Sequence, residues 1–297
     1  MNESHSLNIN DPQSKTLIAI RCIEFTHAAS RVADDMKYFF PEANVVFLSD
    51  QRLKTVAFPE GRSALPITIP KLDALELFHT RENVGWICGD YCYYVALEHQ
   101  WDYLWLVETD VAFSGDAASI MREANATDAD LIGTRIGMRP PNWPWHARML
   151  AASDFETTQG LFFPLTRVSR RLAEASLTER QKITKVLLAN PELRVPNDEV
   201  VVASTAQRLG LETLDLKVLS PDAFKNWSWQ TRFCIEEIEH SVRAKFTHPA
   251  HHRDEFISKV SSDLASDLRS SMRRRSLDAL SEELSAAVIR GAFEIFN

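Results

Sequence analysis

Residues 101–116, WDYLWLVETDVAFSGD, decide the expected fold, because a strongly apolar segment ends there abruptly at two carboxylates. Residues 103–107 (YLWLV) suit a buried strand, and Glu108 and Asp110 follow directly. Alternate side chains of an extended backbone point to the same side. Ligands of open α/β sheets bind beyond the carboxyl ends of the strands, so this pattern predicts a site for Mg²⁺ or Mn²⁺. An acidic turn that closes a core strand is the alternative interpretation.

Further apolar segments alternate with helical patterns through the first half of the chain. This alternation predicts an α/β fold with a mainly parallel sheet and helices on both faces. We expect strands at 16–21, 44–48, 130–134, 160–163 and 211–216, with helices at 28–40, 83–99, 116–124 and 197–209. Two further helices are expected within 167–190, and residues 51–71 and 139–146 are expected to form loops rich in proline.

The domain organisation follows from shifts in composition. Residues 1–15 are polar and predict a flexible arm, residues 16–252 a main domain, and residues 253–297 an extension of two amphipathic helices. These helices could pack on the core, pair between subunits or touch a membrane. The cluster Arg273 to Arg275 between them could contact anionic lipid at a membrane surface. A solvated helix junction is the interpretation that we favour for this cluster.

Composition excludes several classes of protein. The 297 residues include only 9 glycines, none with the spacing of a dinucleotide or Walker-type phosphate loop. The net charge of −8 argues against a general nucleic-acid binder, so we expect no nucleic-acid partner. The 4 scattered cysteines indicate buried free thiols rather than a disulfide framework. The sequence has neither an apolar leader nor a run long enough to span a membrane, which predicts a cytoplasmic protein.

Other residues suited to binding lie at predicted element ends. Arg21 and Asp50 close the first two strands, near the predicted metal, or are simply solvated strand ends. Asn197 could cap a helix whose first turn carries Asp198 and Glu199. His248 is the favoured imidazole ligand in THPAHHRDEF, followed by His251, and would favour Mn²⁺ over Mg²⁺.

Exposed aromatic side chains stack on sugar rings, and four tryptophans in two segments are candidates for this role. Trp143 and Trp145 lie in the proline-stiffened RPPNWPWH loop, and Trp227 and Trp229 offer a second platform. Packing against the core is the equally weighted alternative for these side chains.

The order of these motifs resembles the GT-A-fold glycosyltransferases, which use nucleotide sugars. In that family a D-x-D-like triplet after a buried strand binds a divalent metal, which in turn holds the sugar-nucleotide diphosphate. The triplet here is E-T-D at 108–110, which makes Asp110 the principal ligand and Glu108 the second. The family's glycine loop corresponds to 159–162 with Gly160, its acidic helix start to 197–199, and its C-terminal metal ligand to His248. The resemblance covers residues 16–250.

The resemblance implies a GT-A-like, Rossmann-like catalytic domain and a role for each candidate. Glu199, or failing that Asp198, would be the base that deprotonates the acceptor in an inverting reaction. Arg21 and Asp50 would contact base and ribose, and Asp90 the sugar. Gly160 would line the nucleotide-sugar site on its acceptor side, and Trp143 and Trp145, by the stacking argument above, would bind the acceptor.

The resemblance also implies a function and its partners. The protein would transfer a sugar from a UDP- or GDP-sugar to a hydroxyl acceptor, in the synthesis of cell-surface polysaccharide or other glycans. Two alternatives stay open: a nucleotidyltransferase or metal-dependent phosphohydrolase that uses the same carboxylates, and an inactive glycan-binding scaffold.

Overall fold

The computed structural model describes residues 16–81, 83–229, 231–238, 245–269 and 281–296. These residues form two compact units. The first contains the described residues up to Thr109 together with Ala118–Pro221, and the second contains Asp110–Ala117 and the described residues from Asp222 onward. The second unit thus begins earlier in the chain than the extension expected from residue 253. The predicted arm at 1–15 and the Arg273 to Arg275 cluster lie outside the described residues.

Strands and helices alternate along the chain. The strands are β1 (Thr16–Cys22), β2 (Asn44–Asp50), β3 (Ala64–Ile67), β4 (Tyr103–Glu108), β5 (Ala112–Phe113), β6 (Leu131–Met138), β7 (Gln159–Ser169), β8 (Thr213–Asp215), β9 (Asn226–Trp227), β10 (Phe233–Cys234), β11 (Phe246–His248) and β12 (Ala250–His251). The helices are α1 (His27–Phe39), α2 (Ile69–Ala74), α3 (Val84–Ile87), α4 (Tyr91–Ala96), α5 (Ala117–Asn125), α6 (Pro144–Ala152), α7 (Arg170–Ala189), α8 (Asp198–Arg208), α9 (Leu216–Leu219), α10 (Ile235–Ile238), α11 (Arg253–Arg269) and α12 (Glu282–Phe296).

The first unit is built on a seven-stranded sheet in the order β3-β2-β1-β4-β7-β6-β8. Its pairings are parallel except those of β7, which runs antiparallel to β4 and β6. In β1, Leu17 and Ala19 belong to the core cluster that includes α4, and Ile18 and Ile20 on the opposite face are also buried. A strand buried on both faces needs cover on each side, as in sheets with helices on both faces. Together with the parallel pairings, this burial confirms the expected α/β class and mainly parallel sheet.

The second unit contains two small sheets and the two C-terminal helices. β11 pairs with β5 and β9, and β10 pairs with β12. Phe256 and Val260 of α11 pack with Leu284 and Val288 of α12 in one apolar cluster. The pair of helices expected after residue 253 is therefore present.

Three local expectations were wrong. Residues 51–71 are not all loop: β3 forms the sheet edge, where Pro66 is tolerated because its missing N–H would face away from the neighbouring strand. The helix expected at 83–99 is broken into α3 and α4, because the Gly89 N–H donates to the Asp198 carboxylate instead of continuing the helix. The two helices expected within 167–190 are one, α7, whose N-cap is Ser169.

All four cysteines are buried and free, as the sequence indicates. None of the helices in the described part of the chain combines the length and apolar character that crossing a bilayer requires.

A fully buried ion pair joins α7 to the N-terminus of α4. Asp90 is 0% exposed and Arg180 1%. The Arg180 guanidinium donates to both Asp90 oxygens, over 2.6 and 2.9 Å, and to the Pro196 carbonyl. The Tyr94 hydroxyl also donates to Asp90. Asp90 therefore has no exposed surface through which to contact a sugar, and we leave it out of the candidate site.

We expect Asp90→Asn to lower the free energy of unfolding by about 3–5 kcal/mol, because it leaves the Arg180 charge buried without its partner. Urea denaturation measures the loss. The matched control is Glu98→Gln, which breaks the more exposed Lys71–Glu98 pair and should cost less than about 1 kcal/mol. Equal losses in the two variants would contradict this account of the buried pair.

Candidate active site

The order of the central strands in the first unit creates a switch point between β1 and β4. From β1 the chain proceeds outward through β2 and β3, whereas β4 lies on the other side of β1. Ligands of open α/β sheets bind at such a point, beyond the carboxyl ends of the two strands. Arg21 and Glu108 are register partners at these two ends, and their side chains form an ion pair of 2.6 Å.

Arg21 is held from several sides. Its guanidinium donates to the carbonyl oxygens of Gly85 and Trp86, and it lies 3.8 Å from an Asp198 oxygen. Burial alone would lower the pKa of Arg21, but the charges of Glu108 and Asp198 reverse this and raise it above its ordinary value. Arg21 is thus a permanent cation that orients two carboxylates. The expected contact of Arg21 with a nucleotide base stays a prediction.

Close approach at Gly89 makes this arrangement possible. A Cβ atom at Gly89 would lie 2.5 Å from both the Arg21 guanidinium and an Asp198 oxygen. Gly85 plays the same role beneath Asp50, whose carboxylate a Cβ atom there would overlap. Neither glycine was predicted as a site residue, although their four-residue spacing beside an aromatic helix was an available signal.

We expect Gly89→Ala to destabilise the first unit by about 1–3 kcal/mol, because the added methyl group must displace side chains held by other contacts. Urea denaturation measures this loss. The control is Gly210→Ala: a Cβ atom there meets nothing within 4 Å, so its cost reflects only the positive φ of +60°. A Gly89→Ala variant as stable as the parent would contradict a close-approach role.

The acidic segment at 197–199 opens α8. Asn197 is the N-cap, and its side chain accepts a hydrogen bond from the Val200 amide. Asp198 is buried and accepts from the Gly89 and Glu199 amides. Burial, followed by the charges of neighbouring carboxylates, raises the pKa of Asp198 well above its ordinary value despite the opposing charge of Arg21. Asp198 is therefore fixed by backbone amides and lies beside Arg21 at the start of α8, which gives it a structural role.

Glu199 is more open and has the properties of a general base. Burial raises the pKa of Glu199 to about 7, although Asn197 donates a hydrogen bond to its carboxylate and Arg139 supplies an opposing positive charge. The backbone of Phe163 in β7 also hydrogen-bonds this carboxylate. A carboxylate with a pKa near the working pH is suited to accept a proton from an acceptor hydroxyl.

Residues 159–162, which the resemblance assigns to a glycine loop, form the start of β7, and this confirms the strand expected at 160–163. A Cβ atom at Gly160 would come within 2.5 Å of Arg139 and 2.8 Å of the Trp143 ring, so both side chains pack directly on the glycine backbone. Trp143 and Trp145 are half-buried against the main core cluster. Trp145 is the second residue of α6 rather than a loop residue, because Pro144 suits the first position of a helix.

The second unit contains two of the three predicted metal ligands. Asp110 and His248 approach to 3.5 Å between Oδ1 and Nε2. Asp110 is tied to the same region by its carbonyl, which accepts from the Ala250 amide over 2.7 Å. Glu108, which ends β4 in the first unit, is the third ligand that the sequence predicts.

The hydrogen bond at the other ring nitrogen of His248 defines the chemistry of this pair. The Nδ1 atom lies 2.8 Å from the Ser228 carbonyl, which can only accept, so Nδ1 must be the donor. In the neutral ring, Nε2 then presents its lone pair to the Asp110 carboxylate, whereas in the protonated ring Nε2 donates to it. Two electron-rich atoms that face each other fit a shared cation, and an Nδ1–H held by a carbonyl is the usual arrangement of a histidine ligand.

Neighbouring groups lower the pKa of Asp110. Burial would raise this pKa, but a hydrogen bond from His248 and the positive charges that His248 and His251 carry when protonated lower it below its ordinary value. Burial lowers the pKa of His251, which favours a neutral imidazole there. His251 lies 3.4 Å from Glu255.

The sequence matches no protein-family model, and no curated protein is significantly similar to it.

Two candidate groups have other partners in the structure. Both Asp50 oxygens accept hydrogen bonds from the Arg52 guanidinium, the shortest over 2.7 Å, so a ribose contact would have to compete with this pair. Trp227 is 2% exposed and packs against the His248 ring, which removes it as a stacking platform. Trp229 is 66% exposed and keeps that possibility.

We expect the raised pKa of Glu199 to make the first unit less stable as pH rises. The folded state holds the Glu199 proton up to about pH 7, whereas the unfolded chain releases it near pH 4.5. The unfolded state thus binds fewer protons in this window, and stability falls as pH rises through it.

Urea denaturation at about pH 5 and about pH 8 measures this dependence. Glu199→Gln should gain stability relative to the parent at the higher pH. Glu192→Gln, which changes an exposed glutamate, should show no such gain. A Glu199→Gln variant that follows the parent at both pH values would refute the raised pKa.

Proposed function

We propose that this chain is a metal-dependent glycosyltransferase of the GT-A type, which transfers a sugar from a nucleoside diphosphate donor to a hydroxyl acceptor. The observation that carries the proposal is the Asp110–His248 pair. Asp110 follows closely after the end of β4, which is one of the two strands at the switch point. The strand order β3-β2-β1-β4 supports a Rossmann-like fold, because it matches the order 3-2-1-4 of such sheets. Nucleotides bind at the switch point of these sheets.

The absence of a glycine phosphate loop requires another way to neutralise a diphosphate. Asp110 and His248 would hold a divalent cation, with Glu108 as a further ligand. Oxygen and imidazole donors together suit Mn²⁺ better than Mg²⁺. When bound, such a cation stabilises the negative charge that develops on a departing diphosphate.

Glu199 supplies the base. Its carboxylate takes the proton from the acceptor hydroxyl as the hydroxyl oxygen forms its bond to the anomeric carbon. The bond between that carbon and the diphosphate oxygen breaks at the same time, and the nucleoside diphosphate leaves with the electron pair. This direct displacement inverts the anomeric centre. Trp143, half-buried beside Gly160, supports an acceptor sugar near this base.

The donor half of the proposal can be tested by thermal unfolding with UDP or GDP. We expect either nucleotide to raise Tm by several degrees only when Mn²⁺ is present, since a ligand at a hundredfold excess over its Kd adds about 2.7 kcal/mol. Asp110→Asn should abolish the shift. The control is Asp222→Asn, which changes an exposed aspartate in the same unit. A shift that does not depend on Mn²⁺ or on Asp110 would contradict the proposed metal site.

Product analysis separates the proposal from its alternatives. Incubation with UDP- and GDP-sugars should release a nucleoside diphosphate and form a glycoside. Pyrophosphate would indicate nucleotidyl transfer, and free phosphate would indicate a phosphohydrolase. Glycan binding without donor binding or turnover would indicate a scaffold. A cytoplasmic location, peripheral membrane contact and oligomerisation through the C-terminal helices stay predictions.

A further inference from the structure

One small sheet of the second unit brings Asp110 and His248 together. Its central strand, β11, pairs with β5 on one side and with β9 on the other. His248 is the last residue of β11 and is the register partner of Trp227 in β9. Asp110 lies two positions before β5, and its carbonyl accepts a hydrogen bond from the Ala250 amide. The backbone of this sheet therefore sets the distance between the two proposed ligands.

A series of aromatic ring contacts in the same unit ends at His248. The Phe246 and Phe224 rings stack with 4.4 Å between their centres and 4° between their planes. The Phe224 ring meets the Trp227 ring edge to face at 5.6 Å, and the Trp227 ring lies 5.4 Å from the His248 ring. All four side chains are buried. Because rings at the packing density of a protein interior have little room to turn, Trp227 limits the tilt of the His248 ring.

Ser228 holds His248 through two hydrogen bonds. Its carbonyl accepts from Nδ1 of the His248 ring over 2.8 Å, and its amide donates to the His248 carbonyl over 3.0 Å. Ser228 is itself held, because its hydroxyl accepts from the Thr231 amide over 3.2 Å. These contacts limit the rotation of the imidazole, so that Nε2 faces Asp110 at 3.5 Å.

This support prepares the His248 ring for a cation before any cation binds. Trp227 contacts the imidazole directly and Ser228 holds Nδ1, so the lone pair of a neutral Nε2 keeps one direction. A ligand atom that is already in place loses little conformational freedom on binding. Removal of a group that orients a histidine ligand typically lowers metal affinity by about 10-fold to 100-fold.

We propose that Trp227 is a positioning residue of the metal centre and acts through the His248 ring on a cation that Asp110 and His248 share. Its indole ring selects the orientation of the imidazole in which Nε2 and an Asp110 oxygen bind the same ion. The inference rests on the proposed function only for the metal site, and it does not require sugar transfer.

Titration of the full chain with Mn²⁺, followed by the electron paramagnetic resonance signal of free Mn²⁺, tests the proposal. Trp227→Leu should weaken Mn²⁺ binding by about 10-fold to 100-fold, because an aliphatic side chain supports the imidazole less firmly. Trp227→Phe keeps a flat ring and should bind Mn²⁺ nearly as tightly as the parent. The measurements are made where circular dichroism shows that each variant is folded.

A matched control separates positioning from stability. Phe256→Leu removes a different buried ring of the second unit, which packs with α12. This variant should lose stability and still bind Mn²⁺ like the parent. If Trp227→Leu does not fold, Trp227→Met replaces it, because the flexible thioether fills an irregular gap without offering a flat ring.

The proposal is overturned if the Leu or Met variant of Trp227 binds Mn²⁺ as tightly as the parent. It is also overturned if Phe256→Leu weakens binding equally. Mn²⁺ binding that is no tighter in the parent than in Asp110→Asn removes the metal site and this inference with it. Binding that depends on Asp110 but not on Trp227 removes only the positioning role. Binding that depends on both, without any binding of UDP or GDP, supports the positioning role and removes the transferase.

Discussion

The ion pair between Arg21 and Glu108 constrains the candidate site more than any other interaction. It joins the carboxyl ends of β1 and β4 at the switch point, and it fixes the last carboxylate before the chain continues to Asp110. The same guanidinium approaches Asp198, which keeps the start of α8 near this edge of the sheet. The arrangement divides the acidic groups by role, because Glu108 is paired with Arg21 whereas burial raises the pKa of Glu199 to about 7.

Periodicity in the sequence predicted the sheet because burial on both faces leaves a clear mark on composition. The segments at 16–21, 44–48 and 103–107 are apolar at every position that the sheet buries, so their identity as strands and their parallel arrangement could be inferred. The Asp110–His248 pair was also expected, although residues so distant in sequence are paired only by the fold. The resemblance to a family supplied that pairing, whereas periodicity could not.

Contacts between distant side chains account for most of what sequence reasoning missed. Asp90 is of a residue type that often binds ligands, but only the fold shows that Arg180 on α7 is its ion-pair partner. The break between α3 and α4 has the same origin, since the Gly89 amide bonds to a carboxylate more than a hundred positions away. Arg139, whose positive charge opposes the raised pKa of Glu199, was missed because it belongs to no motif.

The buried Asp90–Arg180 pair has a consequence for the evolution of this protein. Replacement of both residues by apolar side chains of similar volume need not weaken the fold. Either single change, however, leaves one charge isolated in the interior, and such an intermediate could lose most of the stability of a typical domain. A lineage that carries the pair therefore cannot leave it by single neutral steps. The high cost of each single substitution is enough to preserve the salt bridge during evolution, even if the pair takes no direct part in the chemistry.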